Sequence, residues 1–163
     1  MIGKDRLFKK LERVLDTSKA DQTEIVYVGA ASGLTRYANS HIHQNVAEND
    51  HRIFFRTIVG KHVGVASTNS LLESDLKETL ANSLEVGRQQ PEKPQFPGLP
   101  KPAQYKELDT FDNTTAAFTP RDRARAVRRV ITAAKRKGFT AAGALSTDSG
   151  EIAVLNSLGV RAY

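Results

Sequence analysis

Five prolines fall between Pro91 and Pro102. Each lacks an amide donor and fixes φ, so neither a helix nor a central strand can cross this stretch. Residues 90–104 therefore read as an extended connector over the surface, pinned by Phe96, Leu99 and Tyr105. The connector divides the chain into a first unit, 1–89, and a second, 105–163.

In the first unit, residues 4–16 place Leu7, Leu11, Val14 and Leu15 on one helical face and Lys9, Lys10, Glu12 and Arg13 mostly on the other. Glu24–Val28 is rich in strand formers. Ala30–Gly33 predicts a turn of small residues. Leu34–Ala38 and Ile42–Val46 then pair across Asn39-Ser40, because Asn tolerates the left-handed backbone of tight hairpins. Asn49-Asp50 predicts another break. Arg52–Val59 and His62–Ala66 form a second hairpin across Gly60-Lys61. Ser70-Leu71-Leu72-Glu73 reads as a capping box. It opens a helix that runs to Gln89, with Leu72, Leu76, Leu80 and Leu84 along its apolar stripe.

In the second unit, Leu108–Asn113 gives no clear signal. Thr119-Pro120-Arg121-Asp122 starts a helix, with Thr as N-cap, Pro at N1 and Asp at the positive end of the dipole. Ala124, Val127, Ile131 and Ala134 face the core, and Lys137-Gly138 closes it. Phe139–Thr147, Glu151–Leu155 and Val160–Tyr163 read as strands. Gly33, Asn39 and Ser40 recur at one common offset as Gly150, Asn156 and Ser157, and Lys4–Asp16 shifts onto Arg121–Ala133. The expected fold class is thus α+β, with duplicated helix–β-hairpin units and mixed or antiparallel sheets packed against helices. By the same logic Tyr163 corresponds to Val46. The later part of the second unit is then missing, the chain reads as a fragment, and an open sheet edge invites self-association.

The chain has no cysteine. That excludes disulfides, thiolate zinc sites and a Cys nucleophile. No apolar run reaches the length of a membrane span, and the N-terminus lacks a signal-peptide core, so the cytoplasm is the expected location. His41 and His43 flank Ile42 and would point to one side of a strand, but no third metal ligand lies at a local spacing. Two exposed polar residues are the better reading. His51 and His62 stand singly. Gly29–Gly33 lacks the Gly-Lys-Ser/Thr of a P-loop, and a strand follows it. Ser32, Ser40 and Ser67 have no base or acid partner at motif spacing. Arg121–Lys137 carries eight basic residues against Asp122. Such a face can sit on a phosphate backbone, yet no aromatics interleave with it, so a solvated face or one meeting an acidic partner is favoured over nucleic acid. No residue is assigned to catalysis, to a cofactor or to a metal.

The run LTRYANSHIHQNVAEN, followed by GKHVGVASTN, QFPGLP and AAGALSTDSGEIAVLNSLGVRAY, resembles the N-terminal domain of the TldD/PmbA family. The resemblance covers Gln22 to Tyr163 with the order and spacing of the blocks kept. It implies bacterial and archaeal proteins much longer than this chain. These include metal-dependent peptidases and a metal-free partner subunit, assembled as dimers, that process precursors and degrade unfolded peptides. Older descriptions call them modulators of DNA gyrase. The family's HExxxH helix lies in its C-terminal domain and has no counterpart in this sequence, so no catalytic residue carries over. The resemblance implies scaffold, subunit contact or peptide guidance as the role, with a second copy or a TldD/PmbA-type subunit as partner and a peptide as candidate substrate. The alternatives are a stand-alone peptide- or partner-binding module and, less favoured, a nucleic-acid-binding domain using residues 121–137.

Overall fold

The computed structural model describes residues 1–106 and 108–163. The expected second unit, 105–163, thus includes one residue, Glu107, that lies outside the described ones. The elements run α1 (Lys4–Leu15), β1 (Gln22–Ala38), β2 (His41–Val59), β3 (His62–Thr68), α2 (Glu73–Gln89), α3 (Asn113–Ala116), α4 (Pro120–Arg136), β4 (Gly143–Asn156) and β5 (Arg161–Ala162). The strands form one five-stranded sheet in the order β3-β2-β1-β4-β5. The α+β class is confirmed.

Both hairpin turns of the first half form where the residues demand them. Asn39 and Ser40 adopt φ of 49° and 56°, and Gly60 adopts 58°. Two successive left-handed residues match the right-handed twist of the flanking strands. Beyond Gly60-Lys61, Val59 pairs with His62 and Ile53 with Thr68, antiparallel. β1 lies antiparallel beside β4: Ser157 N donates to Thr23 O at 2.8 Å at one end of the pair, and Ser40 N donates to Ala141 O at 2.8 Å at the other.

Several breaks expected from the sequence do not occur. Ala30–Gly33 is not a turn, because β1 runs through it. Asn49-Asp50 does not interrupt β2, nor Asp148-Ser149-Gly150 β4. The capping box at Ser70 does not form: the N-cap of α2 is Leu72, without a side-chain bond. Ser70 Oγ instead accepts from Leu72 N at 3.2 Å, and Glu73 turns to Lys77. The buried stripe of α2 is Leu76, Thr79, Leu80, Ser83 and Gly87, while Leu72 is exposed.

The duplication of helix–hairpin units is not confirmed. There is one sheet, and its β4–β5 hairpin, with Val154 opposite Ala162 and Leu155 opposite Arg161, closes through a wider turn than the two residues Asn39-Ser40 between β1 and β2. Asn39 sits in a two-residue left-handed turn. Asn156 instead ends β4, where its side chain accepts from Leu158 N and Val160 N and donates to Pro100 O. The helix faces also differ in phase. Leu11 is buried in α1, whereas its expected counterpart Arg128 in α4 is exposed.

The chain divides into two compact units: Met1–Gly29, His51–Lys106 and Glu151–Tyr163 in one, Ala30–Asp50 and Glu107–Gly150 in the other. In the first unit, α1 buries Leu7, Phe8, Leu11 and Val14 in one core with Ile25 and Tyr27 of β1, Ile53 and Phe55 of β2, Ala153 and Leu155 of β4, and Leu76 and Leu80 of α2. The connector is held there too. Leu99 packs with Ile58 and Val63, its N–H donates to Gln22 Oε1 at 2.7 Å, and Lys93 N donates to Lys61 O. Tyr105 is half exposed, but its hydroxyl donates to Arg161 O.

In the second unit, α4 starts at the expected cap. Thr119 Oγ1 accepts from Asp122 N at 3.2 Å, and Asp122 Oδ2 accepts from Thr119 N at 3.1 Å. The Thr119 side chain, then its backbone N–H, holds the Asp122 carboxyl below its ordinary range. Thr119→Ala should lower stability by about 1 kcal/mol in urea titrations followed by circular dichroism. An unchanged midpoint would mean that tertiary packing alone fixes the start of α4.

Candidate functional site

The long strands of the second unit place small residues where sequence reasoning expected a loop. Gly33 of β1 lies flat against the guanidinium of Arg123: a Cβ built on Gly33 would come within 2.1 Å of Arg123 Nη1. Arg123 belongs to α4 but is only 2% exposed. Its Nη1 donates to Phe118 O at 3.1 Å and Thr147 Oγ1 at 3.0 Å, and its Nη2 donates to Val46 O at 3.0 Å. One side chain thus ties α4 to β2, β4 and the turn that precedes the helix. Its buried Nε has no partner, and no carboxylate pairs with it among the described residues.

Beside this guanidinium is a cavity of about 220 Å³, with Ser32, Gly33, Glu48, Ala117 and Thr147 among its lining. The sequence reading counted Arg123 among the surface charges. The available signal was its spacing: Arg123, Val127 and Ile131 recur every four residues, and all three are buried. Arg125, Arg128, Arg129 and Arg136 occupy the outer face of α4, where they line a shallow hollow of about 390 Å³ with Thr132 and Ala133. Arg125 pairs with Asp122 at 3.0 Å.

The other candidates separate. His41 and His43 are both exposed on β2. Among the described residues no group of three or more His, Cys, Asp or Glu is placed to hold a metal. His62 Nδ1 lies 2.7 Å from Gln90 O, and His51 stacks on Tyr27 at a centroid distance of 6.1 Å. Ser40 acts structurally, since its Oγ accepts from Ala141 N at 3.0 Å and its N–H donates to Ala141 O. Ser32 lines the cavity, and Ser67 is exposed on β3.

Residues 23–87 match the family model described as PmbA/TldA metallopeptidase domain 1. This stretch carries the first domain of the TldD/PmbA family. The matched stretch opens at Thr23 in β1 and closes at Gly87 in α2, so it spans both hairpins and the helix packed on β3. Solved structures extend the likeness of fold to nearly the whole chain. TldE from Thermococcus kodakarensis is similar at a TM-score of 0.86 and 20% identity, over 94% of this chain and 36% of that one. A protein from Thermotoga maritima, described as a candidate modulator of a DNA gyrase, gives 0.71 at 13% identity over 96% and 36%. A protein from Bacteroides thetaiotaomicron with a similar description gives 0.73 at 18% identity over 99% and 39%. The chain thus spans little more than a third of the length of these relatives. No curated protein sequence matches it. No helix among the described residues is long and apolar enough to cross a membrane.

Proposed function

We propose that this chain serves a TldD/PmbA-type metal-dependent peptidase system as its non-catalytic N-terminal domain, contributing scaffold, subunit contact or peptide guidance. The observation that carries this reading is the family match over residues 23–87, set within a fold shared with TldE over 94% of the chain. The sequence holds no HExxxH, so a metal-bound water would have to come from elsewhere. The partner is a second copy or a TldD/PmbA-type subunit, the substrate a peptide, and the setting the cytoplasm.

The purified chain, supplied with zinc, should not cleave an unstructured peptide above the buffer rate, and should be retained by an immobilised TldD-type subunit. Metal-dependent cleavage by the chain alone, or no retention and a monomeric mass at all concentrations, would overturn the reading.

The outer face of α4 favours one second reading, polyanion binding, because four arginines line one hollow there. If nucleic acid binds, affinity should fall steeply with salt, and Arg128→Glu with Arg129→Glu should flatten that slope by about 2. A slope that these substitutions leave unchanged would exclude this face.

A further inference from the structure

We propose that the exposed side of α4 is a docking surface for an acidic amphipathic helix of a partner protein. Arg125, Arg128, Arg129 and Arg136 line one hollow there. Among the described residues only Arg125 of these four has an acidic partner, Asp122 at 3.0 Å, and no ion pair reaches Arg128, Arg129 or Arg136. Arg125 stands three residues before Arg128 and four before Arg129. Like charges at these spacings face one another along a helix and destabilise it. Carboxylates brought by another chain would remove that repulsion.

Charge alone would suit any polyanion, but the residues beside the arginines narrow the choice. Ala126, Val130 and Ala133 follow one another at steps of four and three, the spacing with which one helix seats another. Ala126 is half-buried, Val130 is 51% exposed, and Ala133 is exposed and lines the arginines' hollow. Arg129 and Arg136 each follow one of these alanines by three residues and so border the apolar seam. A charge at such a flanking position selects the partner helix. Phe139, held at the end of α4 by its N–H bond to Ala134 O at 3.0 Å, is 66% exposed as well. A phosphate backbone is bound by charge and hydrogen bonds and gains nothing from Ala126, Val130 and Ala133. The apolar stripe of a helix would cover them. The occupant is therefore a helix with such a stripe and Asp or Glu beside it, about three turns long to span Ala126 to Arg136. This inference shares with the polyanion reading above only the charge of the face, and it does not rest on the peptidase reading.

The test uses the full chain and a synthetic helical peptide of about three heptads, with Leu at a and d and Glu at e and g, followed by fluorescence anisotropy. Two control peptides carry Lys in place of Glu, or Ser in place of Leu. The expected result is saturable binding of the Leu/Glu peptide, with either control at least about tenfold weaker. Arg129→Glu with Arg136→Glu should reverse the order of the Glu and Lys peptides. Val130→Ser should weaken the Leu/Glu peptide about fivefold and leave the affinity for a short DNA duplex unchanged. All three residues are exposed, so the variants should keep the fold, which circular dichroism checks. No saturable binding of the Leu/Glu peptide, or no reversal in the folded double variant, overturns the proposal. Equal binding of the Ser-for-Leu peptide also overturns it and leaves this face to the polyanion reading, which the DNA duplex then tests.

Discussion

Gly64→Ala should lose about 3 kcal/mol of stability, the top of the usual range for overpacking. A Cβ on Gly64 would lie 1.9 Å from Ser83 O, 2.4 Å from Gly87 N and 2.7 Å from Gly87 Cα. All three are backbone atoms, so no rotamer change relieves the clash. α2 would have to lift from β3. Leu76 and Leu80 ride on α2 and are 0% and 5% exposed, so the shift would also loosen the main core. Gly87→Ala tests the same contact from the other side and should be milder. Its Cβ would stand 3.0 Å from Gly64 N, and Ala gains about 1 kcal/mol over Gly within a helix. Urea titrations of both variants, with amide exchange along α2, check the order. A Gly64→Ala protein within about 0.5 kcal/mol of the parent would show that α2 can move freely on β3.

The elements legible in the sequence are those set by local backbone chemistry. Asn39-Ser40 and Gly60-Lys61 turn where expected, because positive φ is a demand that few residues meet. Thr119-Pro120 starts α4 for equally local reasons. The failures share a cause that local chemistry does not carry. Gly29 and Gly33 read as turn residues, but they serve close approach within a strand: a Cβ on Gly29 would meet the Tyr27 ring, and one on Gly33 the Arg123 guanidinium. Strands of 17 and 19 residues are far longer than the usual five or six, so a reading that expects short strands inserts breaks. The site stayed hidden for the same reason. An arginine among seven other basic residues of Arg121–Lys137 looks like solvent-facing charge, and only the apolar residues four and eight positions later mark it as inward-facing. The short α3 had no apolar period to announce it. Its start is a side-chain cap, with Asp112 accepting from Thr115 N.

Glu151→Ala should cost about 2–3 kcal/mol at neutral pH, because one buried carboxylate holds both ends of the chain in the first unit. Glu151 is 3% exposed. It accepts from Ile2 N at 2.9 Å, from Gly3 N at 2.7 Å and from the Tyr163 hydroxyl at 2.7 Å. Burial pushes its pKa up, but the Ile2 donor, the Tyr163 hydroxyl and the Gly3 donor together outweigh that and hold it below the ordinary 4.5. Burial, then the bond to Glu151, pushes the Tyr163 hydroxyl up to about 12. The signs follow from linkage. A depressed carboxyl stabilises the fold above its unfolded value, and that contribution is lost as pH falls through the folded value. A raised phenol stabilises below its unfolded value of 10.0, and its contribution is lost as pH rises toward 12. The stability gap between the parent and Glu151→Gln should therefore hold steady through neutral pH and narrow below 4.5. The gap between the parent and Tyr163→Phe, about 1 kcal/mol for one hydrogen bond, should narrow only above about pH 10. Urea titrations across the pH range measure both gaps. If the Glu151→Gln gap were the same at about pH 3 as at neutral pH, the carboxylate charge would play no part in holding Ile2, Gly3 and Tyr163.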